Sequence, residues 1–426
     1  MLFINLIPIF IILGLLFWRK HMLLAGVVGA AIAMIIAWIT MDEGITLAQA
    51  NSTTMGGIGT LLGFTTPLLY AATATMLGKA GCFKSAVVGL KRVLKGKLAI
   101  LAAFIVIIQA FATYMAGMGA GNTMVIAPLL AAVVGAVPQV IAGMAIATAV
   151  CFVTSPASTE TILAAGAAGF PEYEVAYFSN IMMPFTIIVV LAGAGLAFYG
   201  VYKNGSLLVN EKDETGEDMD SIPTGKLFTR GIPAIVMLAL VVFSSVVNRA
   251  IGTPIIVPVL AVIVVSILTV IFTPFKMNEV CANIIDGSRF ILTTLFGVGL
   301  FLGFINIIAL TGVFEDLAAL VGTVPQAIVL PSAMVLAFLI AIPSGAFAAG
   351  VLALILPTLS LLGFSPIAMG FIAISTAFGT QISPVQINVV ALSQCFGKDI
   401  MWVVKSNLRF IVSAFAVLIV VSFFVA

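Results

Sequence analysis

Two short segments of this chain set a proline among hydroxyls and amides inside otherwise apolar sequence. They are Thr154-Ser155-Pro156-Ala157-Ser158-Thr159-Glu160 and Gly379-Thr380-Gln381-Ile382-Ser383-Pro384-Val385-Gln386-Ile387-Asn388. A mid-helix proline removes a backbone hydrogen bond and clashes one turn back, so both stretches are predicted to break or kink. Their hydroxyls and amides can bind a carboxylate from one side and, with freed carbonyls, hold Na⁺ from another. The competing reading is a packing kink, with Ser and Thr bonded to their own backbone. It weakens because the pattern occurs twice. A second pair of segments is glycine-bearing: Gly117-Met118-Gly119-Ala120-Gly121-Asn122-Thr123 and Pro343-Ser344-Gly345-Ala346. Glycine frees the backbone to turn, and N–H and C=O groups so freed survive at membrane depth only where they line a cavity or find partners. A helix restarting at Asn122 presents its positive end, which suits an anion.

The expected solute ligands are therefore Gly121, Asn122, Thr123, Ser155, Ser158, Ser344, Gly345, Thr380 and Ser383. The expected cation ligands are Thr154, Thr159, Glu160, Gln381, Gln386 and Asn388, with Na⁺ or H⁺ as coupling ion and no cofactor. Glu160 is the one ionisable group placed at membrane depth. Such a carboxylate is costly and by default functional, as a Na⁺ ligand or proton carrier; the alternative is that the break lets it reach the outer interface. Asn180 and Asn407, each after a serine (Ser179, Ser406), read as interfacial caps, and the lone His21 as an interfacial residue.

The elements that position these residues follow from composition. Of the 426 residues, 62% are hydrophobic and 8% charged, against about 25% charged in soluble domains. Apolar runs of the roughly 20 residues needed to cross a bilayer recur from end to end, so the class is all-α polytopic membrane protein. A barrel would show short alternating segments, whereas Ile181 to Tyr199 and Ile255 to Phe272 are continuously apolar. Ten crossings are expected, near 2–18, 22–40, 57–78, 139–166, 174–201, 231–248, 253–273, 289–310, 365–392 and 409–425. The first, lacking a basic segment before it, reads as a membrane helix and not a cleaved signal. Regions 98–137 and 326–362, each broken by glycine, read as re-entrant hairpins. The four cysteines show no CxxC spacing, so neither disulfide nor metal site is expected.

Threading the chain this way puts every Lys and Arg but Arg249 on one side, including Arg19, the run Lys79 to Lys97, Lys276, Arg289, Lys398, Lys405 and Arg409. The positive-inside rule makes that side the cytoplasm, of an inner membrane with both termini outside. The acidic stretch Glu211 to Asp220 reads as part of a cytoplasmic linker, 206–228. Lys79 to Lys97 reads as an amphipathic arm on anionic lipid. Nucleic acid is not an expected partner.

The halves 1–205 and 229–426 repeat one another. Offsets are 229 from Pro128 to Pro357, 228 from Pro156 to Pro384 and 231 from Phe83 to Phe314, with Gly81 and Gly312 in step. Glu160 falls on Asn388. Each half holds an odd number of crossings, so two inverted-topology repeats are expected, each of about five transmembrane helices (one broken) plus a re-entrant hairpin. That is an architecture of secondary transporters with sites at the midplane.

At these residues the chain resembles the ion transporter superfamily, which includes citrate transporters, divalent anion:sodium symporters and the membrane subunits of tripartite carboxylate transporters. Gly121-Asn122-Thr123 is similar to the Ser-Asn-Thr signature at their first hairpin tip, and Ser155-Pro156 and Ser383-Pro384 occupy their helix breaks. The second hairpin departs from the pattern, with Ser344-Gly345 and no Asn-Thr. The resemblance implies cation-coupled symport of a small organic anion such as a di- or tricarboxylate, by an elevator mechanism in a homodimer. The alternative is a Na⁺/H⁺ antiporter of the same fold in which Glu160 carries the proton. An enzyme is disfavoured, since the polar groups at depth include no His, Asp pair or nucleophile with its base.

Overall fold

The computed structural model describes residues 2–18, 20–62, 65–93, 97–117, 119–204, 222–253, 255–345 and 348–425. Arg19, Lys95, Met118, Ala346 and the acidic stretch Glu211 to Asp220 lie outside them. Every regular element among the described residues is helical. The chain opens with α1 (Leu2–Asn5), α2 (Ile7–Phe17), α3 (Met22–Thr40), α4 (Leu47–Leu62), α5 (Thr65–Lys79) and α6 (Cys82–Val93). A hairpin follows, α7 (Leu98–Ala116) and α8 (Ala120–Val134), then α9 (Pro138–Thr154), α10 (Thr159–Ala167) and α11 (Val175–Asn204). Beyond the linker come α12 (Thr224–Ile251), α13 (Pro258–Phe272), α14 (Met277–Ala309) and α15 (Val313–Val321). The second hairpin is α16 (Val329–Ser344) and α17 (Ala348–Ser360), and α18 (Pro366–Thr380), α19 (Ile387–Cys395) and α20 (Ile400–Val425) close the chain.

Local chemistry sets these boundaries. Pro138 and Pro366 sit in the first turn of α9 and α18, where a missing N–H costs nothing. Ser365 caps α18 by accepting from the Ala368 amide at 3.2 Å, and His21, read as merely interfacial, caps α3 by accepting from the Leu23 amide at 3.3 Å. The first hairpin turns at Gly117, whose φ of 68° side chains rarely adopt.

Seven described helices are long and apolar enough to cross a membrane, and an eighth span forms if α9 and α10, bent by 56°, are taken together. The chain is thus a multi-pass membrane protein. Several expected boundaries move. The crossing placed at 57–78 comprises two helices, α4 and α5, and the linker ends before Thr224, not at 228. Arg289, Lys405 and Arg409, expected in loops, lie within α14 and α20. Hydropathy marks the lipid-length core of a span, whereas helices run on past it with long basic side chains reaching water. The hairpins are helix–turn–helix units, and their first arms are themselves long enough to cross.

Small residues let the backbones that carry the site close together. Gly143 of α9 and Gly193 of α11 face each other so tightly that a Cβ on Gly143 would sit 2.4 Å from the Gly193 carbonyl oxygen. Gly57 of α4 meets Gly299 and Gly303 of α14 in the same way, the small-residue packing expected where no water drives helices together. Gly143→Val should therefore force α9 from α11, at about 1–3 kcal/mol for overpacking. Its detergent melting temperature should fall; melting with the wild type would dissolve this contact.

Candidate functional site: two hairpin tips on two helix breaks

Both predicted breaks are present. α9 stops at Thr154, and the chain runs through Ser155 to Ser158 before α10 restarts, capped by Ser158 Oγ accepting from the Thr161 amide at 3.2 Å. α18 stops at Thr380, and α19 restarts at Ile387 with Gln386 as its cap. Each hairpin tip seats on the break of its own half. Ser155 Oγ donates to the Tyr114 carbonyl at the end of α7, at 2.5 Å. A Cβ on Gly117 would lie 2.4 Å from the Ala157 carbonyl oxygen. In the other half a Cβ on Gly345 would lie 3.2 Å from Ser383 Oγ.

The second segments reach across to the opposite half. Asn388, in the first turn of α19, accepts a hydrogen bond at 2.6 Å from Thr123 Oγ1 in α8. Glu160, in the first turn of α10, accepts from the Ser158 hydroxyl at 3.0 Å and faces the backbone amide of Ala349 at the start of α17. The carboxylate thus sits at the positive end of α17, where a helix start favours a negative charge.

Around Asn388 a buried polar chain forms. Gln109 Nε2 donates to Thr123 Oγ1 at 2.7 Å and to Thr148 Oγ1 at 2.9 Å. Asn388 Nδ2 donates to Gln381 Oε1 at 2.7 Å, and Gln381 Nε2 to Thr380 Oγ1 at 3.2 Å. Asn407, expected as an interfacial cap, is fully buried in α20 and donates to the Gln381 carbonyl at 2.9 Å. Gln109 Oε1, Thr113 Oγ1 and Asn407 Oδ1 are buried and have no hydrogen-bond partner among the described residues; neutral oxygens of this kind coordinate small hard cations.

The structure therefore brings Thr123, Thr380, Gln381 and Asn388 into one network, and Ser158 and Glu160 into another. Gly121 and Asn122 are buried in the first turn of α8 beside Thr123. Ser155, Gly345 and Ser383 line the tip-on-break contacts. Gln386 is spent on capping. Thr154 donates to the Val150 carbonyl at 2.7 Å and accepts from Thr186 of α11 at 2.9 Å, and Ser344 bonds back to the Ile340 carbonyl. Thr159 is exposed, away from both networks. Sequence reading passed over Gln109, Thr148 and the Ala349 amide, and took Asn407 for a cap. Of these only Gln109, a lone amide in the apolar helix α7, carried a local signal.

No family model and no curated protein matches this chain. Its own geometry defines its class: a polytopic α-helical membrane protein in which two helix hairpins dock on two broken helices.

Proposed function

We propose that the protein is a secondary active transporter that couples Na⁺ or H⁺ to symport of a small organic anion such as a di- or tricarboxylate. The observation that carries this reading is the crossed pair of contacts, Thr123 with Asn388 and the Ala349 amide with Glu160. Each brings the first turn of a restarting helix against the start of the second arm of the opposite hairpin, from the corresponding positions Glu160 and Asn388.

Support for an inverted repeat is widespread. α9 and α18, and α10 and α19, start 228 residues apart (138 to 366, 159 to 387). Left-handed glycines recur in step: Gly81 with Gly312 (offset 231), Gly135 with Gly363 and Gly169 with Gly397 (both 228). α10 packs on α17 as α19 packs on α8, and α9 crosses α18. In this reading hairpins and broken helices move as an elevator against the other helices of a homodimer, in a cytoplasmic membrane with the basic loops inside and both termini outside. The solute's charge is met by helix starts and hydroxyls at Asn122, Thr123 and Ser383, and the cation by the neutral oxygens around Gln381 and Asn388.

A second reading is favoured by one observation, the burial of Glu160: a Na⁺/H⁺ antiporter in which that carboxylate carries the proton and no organic solute is needed. Thermal-shift screening against di- and tricarboxylates, amino acids and inorganic anions, with and without Na⁺, separates the two. Stabilisation by a carboxylate is expected, weakened roughly tenfold or more in Asn122→Ala and Ser383→Ala as one charge-assisted hydrogen bond is lost. Stabilisation by Na⁺ or pH alone would remove the symport reading, and unchanged affinity in both variants would remove the site.

A further inference from the structure

The hydrogen bonds that run through Asn388 all point one way. Gln109 Nε2 donates to Thr123 Oγ1 at 2.7 Å, Thr123 Oγ1 to Asn388 Oδ1 at 2.6 Å, and Asn388 Nδ2 to Gln381 Oε1 at 2.7 Å. Gln381 Nε2 then donates to Thr380 Oγ1 at 3.2 Å, and Thr380 Oγ1 to the Ala377 carbonyl at 2.7 Å. The bonds thus lead head to tail from α7 through α8 into the second broken helix.

The direction is dictated at both ends. A backbone carbonyl can only accept, so the last hydrogen must point at Ala377. Gln109 supplies the first. Its amide nitrogen holds two hydrogens, and the other goes to Thr148 Oγ1 of α9 at 2.9 Å. Gln109 Oε1, by contrast, has no hydrogen-bond partner among the described residues. A buried amide that spends both hydrogens and leaves its acceptor idle is placed there to donate. Having received a hydrogen, the Thr123 hydroxyl keeps its own to give, and Asn388 Oδ1 at 2.6 Å is nearer than the Gly119 carbonyl at 3.1 Å. Asn388 must then turn its carbonyl to the first hairpin and its NH₂ to Gln381. Every side chain in the series is buried, where a donor or acceptor set against its like costs most.

We propose that Gln109 is a positioning residue. By donating to Thr123 it sets the direction of the whole series, orients the Asn388 amide and so holds the first hairpin on the second broken helix.

N-ethylmaleimide labelling of Cys395 reads that seam, since its Sγ lies 3.9 Å from the Thr123 carbonyl oxygen and the residue is partly exposed. Cys281→Ser removes the exposed native thiol, and Cys82 and Cys151 are buried. In that background Gln109→Met should label about tenfold faster, the worth of one buried hydrogen bond. Gln109→Glu keeps the shape and tests the cause. Its protonated acid can still donate to Thr123, whereas its carboxylate only accepts and draws the Thr123 hydrogen off Asn388. Labelling relative to wild type should therefore stay near one at low pH and climb as pH rises. Ratios to wild type at each pH cancel the titrations of Tyr114, Cys151, Glu160 and Cys395, the ionisable side chains of α7 to α10 and α19. Because Gln109 reaches Asn388 through Thr123, Gln109→Met combined with Asn388→Ala should label little faster than either single variant. Gln109→Glu matching wild type at every pH, or full additivity in the double variant, would show that Gln109 only fills space and overturn the proposal. Should Gln109→Met not fold, Gln109→Glu carries the test. The effect on transport rests on the symport reading, in which Gln109→Met slows uptake about as much as Asn388→Ala. Gln109-dependent labelling without uptake of any carboxylate would keep this role and remove that reading.

Discussion

Asn388→Ala should lower solute uptake into proteoliposomes by roughly 10- to 100-fold while the protein still folds, because the side chain bridges a buried hydroxyl of the first hairpin and a buried amide of the second break. Its carbonyl accepts from Thr123 at 2.6 Å and its amide donates to Gln381 at 2.7 Å, in a region where all three side chains are nearly sealed from solvent. Truncation leaves the Gln381 side-chain carbonyl without that donor, and the Thr123 hydroxyl, still accepting from Gln109 at 2.7 Å, with the Gly119 carbonyl at 3.1 Å as its remaining acceptor. An idle buried group costs about 1–3 kcal/mol. The contact also spans hairpin one and the second broken helix, so its loss uncouples two parts that must act together. Thr123→Val should reproduce most of the defect, and the double variant should be barely worse than either single one, since residues in one network do not add. Wild-type uptake with wild-type melting in Asn388→Ala, or full additivity with Thr123→Val, would take this pair out of the site.

Glu160→Gln is expected to separate binding from coupling. The amide keeps the shape and can still accept from the Ser158 hydroxyl, so melting changes little. What disappears is the negative charge. In the symport reading, solute affinity stays within about threefold of wild type, about 0.7 kcal/mol, while accumulation against a gradient is lost and binding no longer responds to Na⁺ or pH. In the antiport reading, all ion exchange stops and there is no solute binding to preserve. Glu160→Ala should be worse than Gln in either case, for it strips the Ser158 hydroxyl of its acceptor and empties the space before the Ala349 amide. Accumulation by Glu160→Gln that keeps its full ion dependence would show that this carboxylate takes no part in coupling.

Much of the skeleton was legible because it rests on residues whose backbone physics is unambiguous. Pro156 and Pro384 forecast the breaks, and the glycine runs forecast the hairpin turns, one of them at a left-handed Gly117. Hydropathy located the spans but not their ends, so Lys405 and Arg409 turned out to belong to α20. The site was legible only in part. A hydroxyl beside a proline is visible locally, yet whether it bonds to its own helix, as Ser344 does, or across the molecule, as Thr123 does over 265 positions, depends on packing that no local pattern encodes. Asn407 was misjudged for this reason: proximity to a predicted helix start suggested a cap, while the fold turns it onto the Gln381 carbonyl.

The contact between Glu160 and the Ala349 amide also has a meaning in time. The two positions are 189 residues apart (160 to 349), and at about 5–20 residues per second of synthesis the carboxylate waits about 10–40 s for its partner. Throughout that interval the Glu160 carboxyl has the Ser158 hydroxyl as its partner, and a carboxyl so placed enters hydrocarbon protonated, not charged. During biogenesis the first half is an unfinished insertion intermediate, and the arrival of α17 seals it.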